Sequence, residues 1–150
     1  MTDRVDFYVL KSTVAKLRWT FACRLTEKAY LRDLSVVILN DSAADTEIMD
    51  ELLWTFNERS FVPHAVHRPG TTLDASSPVN LTGDLAGVER ADLLVNLGGR
   101  VPDGLERFNR IAEVIDADEE RRRRGRERFK AYRDLKLTLE THQLDDAADA

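Results

Sequence analysis

A chain of 150 residues fits one domain, long enough to bury roughly 68–70% of the surface its unfolded form exposes. With 43% apolar and 33% charged residues and a net charge of −5, it has the composition of a soluble globular protein; its single cysteine, Cys23, excludes an internal disulfide and fits a reducing cytoplasm. The apolar run Val5 to Leu10 is too short for a signal-peptide core or a membrane span, so no membrane partner is expected.

The first element, VDFYVL (Val5 to Leu10), is β-branched and aromatic and predicts a buried strand. Ser12 or Thr13 is placed to cap a helix running to about Leu31, with Val14, Leu17, Phe21, Leu25 and Ala29 at near-helical spacing. SVVIL (Ser35 to Leu39) predicts a strand covered on both faces, and after a turn over Asp41 to Asp45 a second helix runs to about Phe56. Ile48, Met49, Leu52 and Leu53 are expected on its inner side. A loop-rich stretch opens at Phe61 to Ala65 and contains Val79 to Leu81 as an edge strand. DLLVNL (Asp92 to Leu97) is a strand closed by Gly98 and Gly99. FNRIAEVI (Phe108 to Ile115) fits a strand better than a helix. Asp118 to about Leu135 is a helix with Glu119 and Glu120 in its first turn, where the dipole favours them. Strands alternating with helices predict one α/β domain over residues 1–136, with a mostly parallel sheet flanked by helices; residues 137–150 lack periodicity and are expected to be a flexible acidic tail.

The charge is unevenly distributed. Arg121 to Lys136 carries nine basic and two acidic residues, +7, which leaves −12 for the remainder. An acidic body with one basic helix argues against general nucleic-acid binding and for a small anionic partner. On a helical wheel Arg122, Arg126, Phe129, Lys130 and Arg133 share a stripe about 100° wide, with Tyr132 and Leu135 on a flank able to anchor the helix. Two readings stay open: a solvated basic face, or a peptide site in which the ring lines a pocket and the cations meet carboxylates.

No catalytic set is found. The first strand is followed by Lys11-Ser12-Thr13, without the glycines a dinucleotide cradle needs. Gly98-Gly99 follows a strand but opens no helix and precedes no Lys-Ser/Thr, so neither cofactor nor nucleotide is expected. His64 and His67 lack a second ligand pair, so no metal is expected. Cys23 falls in an amphipathic helix and reads as a small hydrophobe.

DELLWTFNERSFVPH (Asp50 to His64), RERFKAYR (Arg126 to Arg133) and the early FYVL together resemble the chi subunit family of bacterial DNA polymerase III holoenzyme. The resemblance implies a Rossmann-like α/β domain with no enzymatic activity and no cofactor. It implies an accessory subunit that links the clamp loader to single-stranded-DNA-binding protein by holding that protein's acidic C-terminal tail, which ends in phenylalanine. DNA itself would be met only indirectly. Arg126, Phe129, Lys130 and Arg133 match the tail-binding helix, with Phe129 where tyrosine is common. Arg122 lies where the family also places a basic residue, and Trp54 matches the tryptophan beside the pocket. Phe61, Val62 and Pro63 match the surface on which the psi subunit docks; from the residues alone Phe61 also fits a core position. The alternative is a single-stranded nucleic-acid-binding module in which Phe129 and Tyr132 stack on bases. The Arg121 to Arg124 run exceeds what the resemblance requires. The segment LDDAADA (Leu144 to Ala150) loosely imitates an acidic peptide and is a weak competitor for the basic stripe.

Overall fold

The computed structural model describes residues 2–68, 71 and 73–144. Among these residues seven strands form one sheet: β1 (Arg4–Leu10), β2 (Val36–Leu39), β3 (Ala65–His67), β4 (Val79–Thr82), β5 (Ala91–Asn96), β6 (Phe108–Ile115) and β7 (Leu139–Leu144). Their spatial order is β3-β4-β2-β5-β6-β1-β7, and every adjacent pair is parallel. Among the described residues three α-helices flank the sheet: α1 (Ala15–Leu31), α2 (Ala43–Thr55) and α3 (Glu119–Asp134). The expected α/β class holds, and the sheet is wholly parallel.

Strand residues alternate between two buried layers, as a pleat with period two requires. On one side α1 and α2 cover Leu10, Val36, Ile38, Val79, Leu81, Val95 and Val114. On the other, α3 and two loops cover Val5, Phe7, Val37, Leu94, Phe108, Ile111 and Ile115. Both faces of β1, β2, β5 and β6 are therefore apolar, which is why the runs VDFYVL and SVVIL read as continuous.

Several expectations are corrected. Helix α1 is capped at Val14 with no side-chain acceptor; the Ser12 hydroxyl instead accepts from the Val14 N–H at 3.0 Å. Ser42 caps α2 through the Asp45 N–H at 3.1 Å. Ile48, expected inside, is 41% exposed, because Met49 and Leu53 hold the inner stripe. Val79–Thr82 is not an edge strand: β3, too short to stand out in the sequence, pairs outside it. Leu139–Leu144, expected in the tail, forms β7 alongside β1. Its residues are all exposed or only partly buried, as on an edge strand, which needs no apolar run. The segment 145–150, with its acidic residues, lies outside the described residues.

Helix α3 sits close to the sheet because Gly125 has no side chain; a Cβ there would run into Ile115 Cδ1. Its C-terminus closes on Lys136 in the left-handed region (φ 63°), with the Leu137 N–H reaching the Tyr132 carbonyl at 3.2 Å. That turn delivers the chain into β7.

Candidate functional site: a cationic helix face over a small apolar pocket

The underside of α3 is held by a buried polar network. Glu113, fully buried on β6, accepts from Tyr132 Oη at 2.6 Å, Asn96 Nδ2 at 2.8 Å and Arg128 Nε at 3.1 Å. Burial pushes the Glu113 carboxyl up, against the pull of the Arg128 charge and the Tyr132 and Asn96 hydrogen bonds. Tyr132 is the anchor expected of it; Leu135, expected to share that role, is 58% exposed past the end of the helix. Arg128, unremarked in the sequence, is inside because it is the partner of Glu113.

The four arginines before Gly125 are consumed locally. Arg121 grips the buried Asp116 carboxylate with two contacts of 2.8 Å. Arg122 hydrogen-bonds the Asp116 and Leu10 carbonyls at 3.3 and 3.4 Å. Arg123 pairs with Glu120 and Glu127, both at 2.6 Å, and Arg124 reaches Glu120 at 3.1 Å. These contacts tie the strand-to-helix corner and the first helical turns. By contrast, Arg126, Lys130 and Arg133 are exposed and, among the described residues, have no ion pair or side-chain hydrogen bond.

Arg122, Arg126 and Phe129 line a pocket of about 210 Å³ with Phe7, Ile115 and Gln143, floored by β1, β6 and β7. The Phe129 ring is half-buried and tilted against Phe7 with centroids 5.2 Å apart. The volume lies below the ~300–1,000 Å³ of small-molecule sites, so it suits one side chain and not a nucleotide. Val9 and Thr141 also line the pocket. Sequence reasoning missed the whole floor. Phe7 and Val9 share a strand face, which is legible; Thr141 and Gln143 lie in a stretch whose sequence carries no strand periodicity.

Trp54 does not join this pocket. It projects from α2, on the opposite face of the sheet, where its ring lies 4.2 Å from His64 and 5.5 Å from Phe61. His64 is fixed there by the Val62 carbonyl at 2.7 Å and by Asp50 at 2.9 Å. Phe61 is 66% exposed and Trp54 48%, so they form an aromatic surface patch; Phe61 is not a core residue. Val62 is fully buried beneath them and Pro63 partly so, which leaves Phe61 and Trp54 as the accessible rings.

The Gly99 N–H, where a phosphate would be met, donates to the Asp41 carboxylate at 3.0 and 3.2 Å, so an anion of the chain's own occupies the turn. His67 contacts the Thr82 hydroxyl at 3.0 Å and the Thr71 carbonyl at 2.8 Å and does not converge with His64. Asp6, Glu140 and His142 do converge, but Arg110 and Arg4 already lie on Asp6 at 2.7 and 3.2 Å, which disfavours a metal cation. Cys23 is buried, and burial pushes its thiol up to about 12, leaving it unreactive. Among the described residues no helix is long and apolar enough to cross a membrane.

Fold and site together define a wholly parallel α/β domain whose glycine turn is closed by its own carboxylate and whose open chemistry lies on its surface. The sequence profile described as DNA polymerase III chi subunit, HolC, matches residues 1–140. The DNA polymerase III subunit chi of Pseudomonas aeruginosa is 35% identical over 142 residues, covering 94% of this chain and 96% of that protein. That of Haemophilus influenzae is 28% identical over 144 residues (96% and 99%), and that of Escherichia coli 25% over 120 residues (79% and 80%). The chain belongs to the DNA polymerase III chi subunit family. It is an accessory subunit of that polymerase and not an enzyme in its own right.

Proposed function

We propose that this chi-family chain binds the acidic C-terminal tail of single-stranded-DNA-binding protein on α3 and so links that protein to the clamp loader in the cytoplasm. The observation that carries the reading is the contrast along α3: the four preceding arginines are engaged, while Arg126, beside Phe129 at the pocket mouth, has no partner among the described residues. The terminal phenylalanine of the tail enters the pocket against Phe129 and Phe7. Its carboxylate meets Arg126, a charge-assisted contact worth about 1.5–3 kcal/mol. Lys130 and Arg133, along the same exposed face, draw upstream aspartates and add on-rate more than affinity. Trp54 takes no part in this site. It belongs with Phe61 in the patch on which a psi-like or other clamp-loader subunit docks.

One anchor and one ionic clamp give a dissociation constant near micromolar, about −8 kcal/mol, weakening with salt because the cations are exposed. Calorimetric titration with a tail peptide tests this. Arg126→Ala lowers affinity at least about tenfold with an unchanged unfolding midpoint, and removing the peptide's last phenylalanine does the same. Equal affinity for the full and truncated peptides overturns the pocket. The nucleic-acid alternative loses one of its two stacking rings, since Tyr132 is fully buried.

A further inference from the structure

On the face covered by α1 and α2, the Phe21 ring of α1 lies against Tyr8 of β1 with centroids 5.2 Å apart, and the sheet continues past it to its edge strand β7. The result is a groove of about 680 Å³ beside α1, floored by Tyr8, Phe21, Leu25, Ala112 and Leu144. It lies on the opposite side of the sheet from the α3 pocket and is about three times larger.

The wall of the groove is a row of cations. Arg24, Lys28 and Arg32 succeed one another at every fourth position along α1 and its C-terminal cap, all exposed, and none has an ion pair or side-chain hydrogen bond among the described residues. Arg110 lies across from them, and its buried Nε has no hydrogen-bond partner. Two of the acids in the groove are already engaged. Asp6 is held by Arg110 at 2.7 Å and His142 at 2.9 Å, and Asp92 by the Ser35 N–H at 2.8 Å. Asp3 is the lining acid left unengaged among the described residues.

We propose that this groove is a second peptide-binding site, taking an extended acidic segment in which carboxylates alternate with bulky apolar side chains. Residues four apart on a helix advance about 6 Å along its axis. Alternate residues of an extended chain advance about 6.6 Å. Carboxylates at every second position therefore fall opposite Arg24, Lys28 and Arg32, while the intervening side chains turn toward Tyr8, Phe21 and Leu25. A polynucleotide lacks apolar side chains for that floor, and the chain's net charge of −5 repels its phosphates.

The test is a nuclear magnetic resonance titration of the full chain carrying Arg126→Ala, which removes the α3 contact, with a synthetic peptide of alternating aspartate and leucine. The peptide shifts the amides of Leu25, Ala112 and Leu144, and charge reversal by Arg24→Glu with Lys28→Glu, both exposed, weakens binding at least tenfold at an unchanged unfolding midpoint. No shift at those amides, shifts confined to Phe129 and Thr141, or equal binding by the reversed variant overturns the site. So does an oligothymidylate that shifts the groove amides where the peptide does not. Failure of the α3 site would show separately, as loss of the Phe129 and Thr141 response to a phenylalanine-ended peptide in the unsubstituted chain.

Discussion

At the scale of single residues, the arginines of α3 divide by what lies within reach of each guanidinium. Arg128 points inward and neutralises Glu113; Arg121 clamps Asp116; Arg123 and Arg124 share Glu120. At the pocket, Arg126 is the guanidinium without an ion pair or side-chain hydrogen bond among the described residues. Tyr132 separates architecture from binding in the same way: its hydroxyl is one of three donors to a buried carboxylate. Tyr132→Phe leaves Glu113 one donor short and is expected to destabilise the fold by about 1–3 kcal/mol, read as a lower midpoint in urea. Peptide affinity should stay within about twofold, because the hydroxyl faces away from the pocket. A variant as stable as the parent would mean that the hydroxyl contributes nothing net to holding α3.

At the scale of elements, the first turns of α3 are stabilised electrostatically. Hydrogen bonds from Arg123 and Arg124 hold the Glu120 carboxyl down at about 2, and the helix N-terminus is where an acid is favoured. A carboxyl depressed in the folded state contributes stability that is fully present above its unfolded value near 4.5 and is lost as pH falls toward 2. The parent chain and Glu120→Gln should therefore differ in unfolding midpoint at neutral pH and converge as the acid range is crossed. Carbon-detected titration of the Glu120 carboxyl should show its midpoint near 2; an ordinary midpoint would mean the arginines are elsewhere in solution. The exposure of all three side chains keeps the effect small.

At the scale of the whole molecule, the sheet keeps two surfaces apart. The α3 pocket and the Trp54–Phe61 patch lie over opposite faces and share no residue. Substitutions at sites so separated act additively. Phe61→Ala should abolish capture of a psi-like clamp-loader subunit and leave tail-peptide affinity within about 0.5 kcal/mol, while Arg126→Ala should do the reverse. If Phe61→Ala also removes peptide binding at unchanged stability, the two surfaces are coupled and the division is wrong.

The sequence alone determined the α/β class, most of the strands and the basic stripe, because those depend on local periodicity: two-sided burial makes VDFYVL and SVVIL continuous, and helical spacing puts Arg122, Arg126 and Phe129 on one face. It could not determine which stripe residues are free. That depends on Asp116 and Glu113, brought beside α3 by β6, and on Glu120 being within reach of two guanidiniums. Nor could it place Trp54, since a helix periodicity gives a face but not the side of the sheet on which the helix packs. The edge strand β7 was invisible for a related reason: half-exposed, it needs no apolar run, and only its parallel register with β1 turns Thr141 and Gln143 from apparent tail into a pocket wall. Periodicity is local and legible; sidedness, pairing and the spending of charge are settled by contacts between residues far apart in the chain.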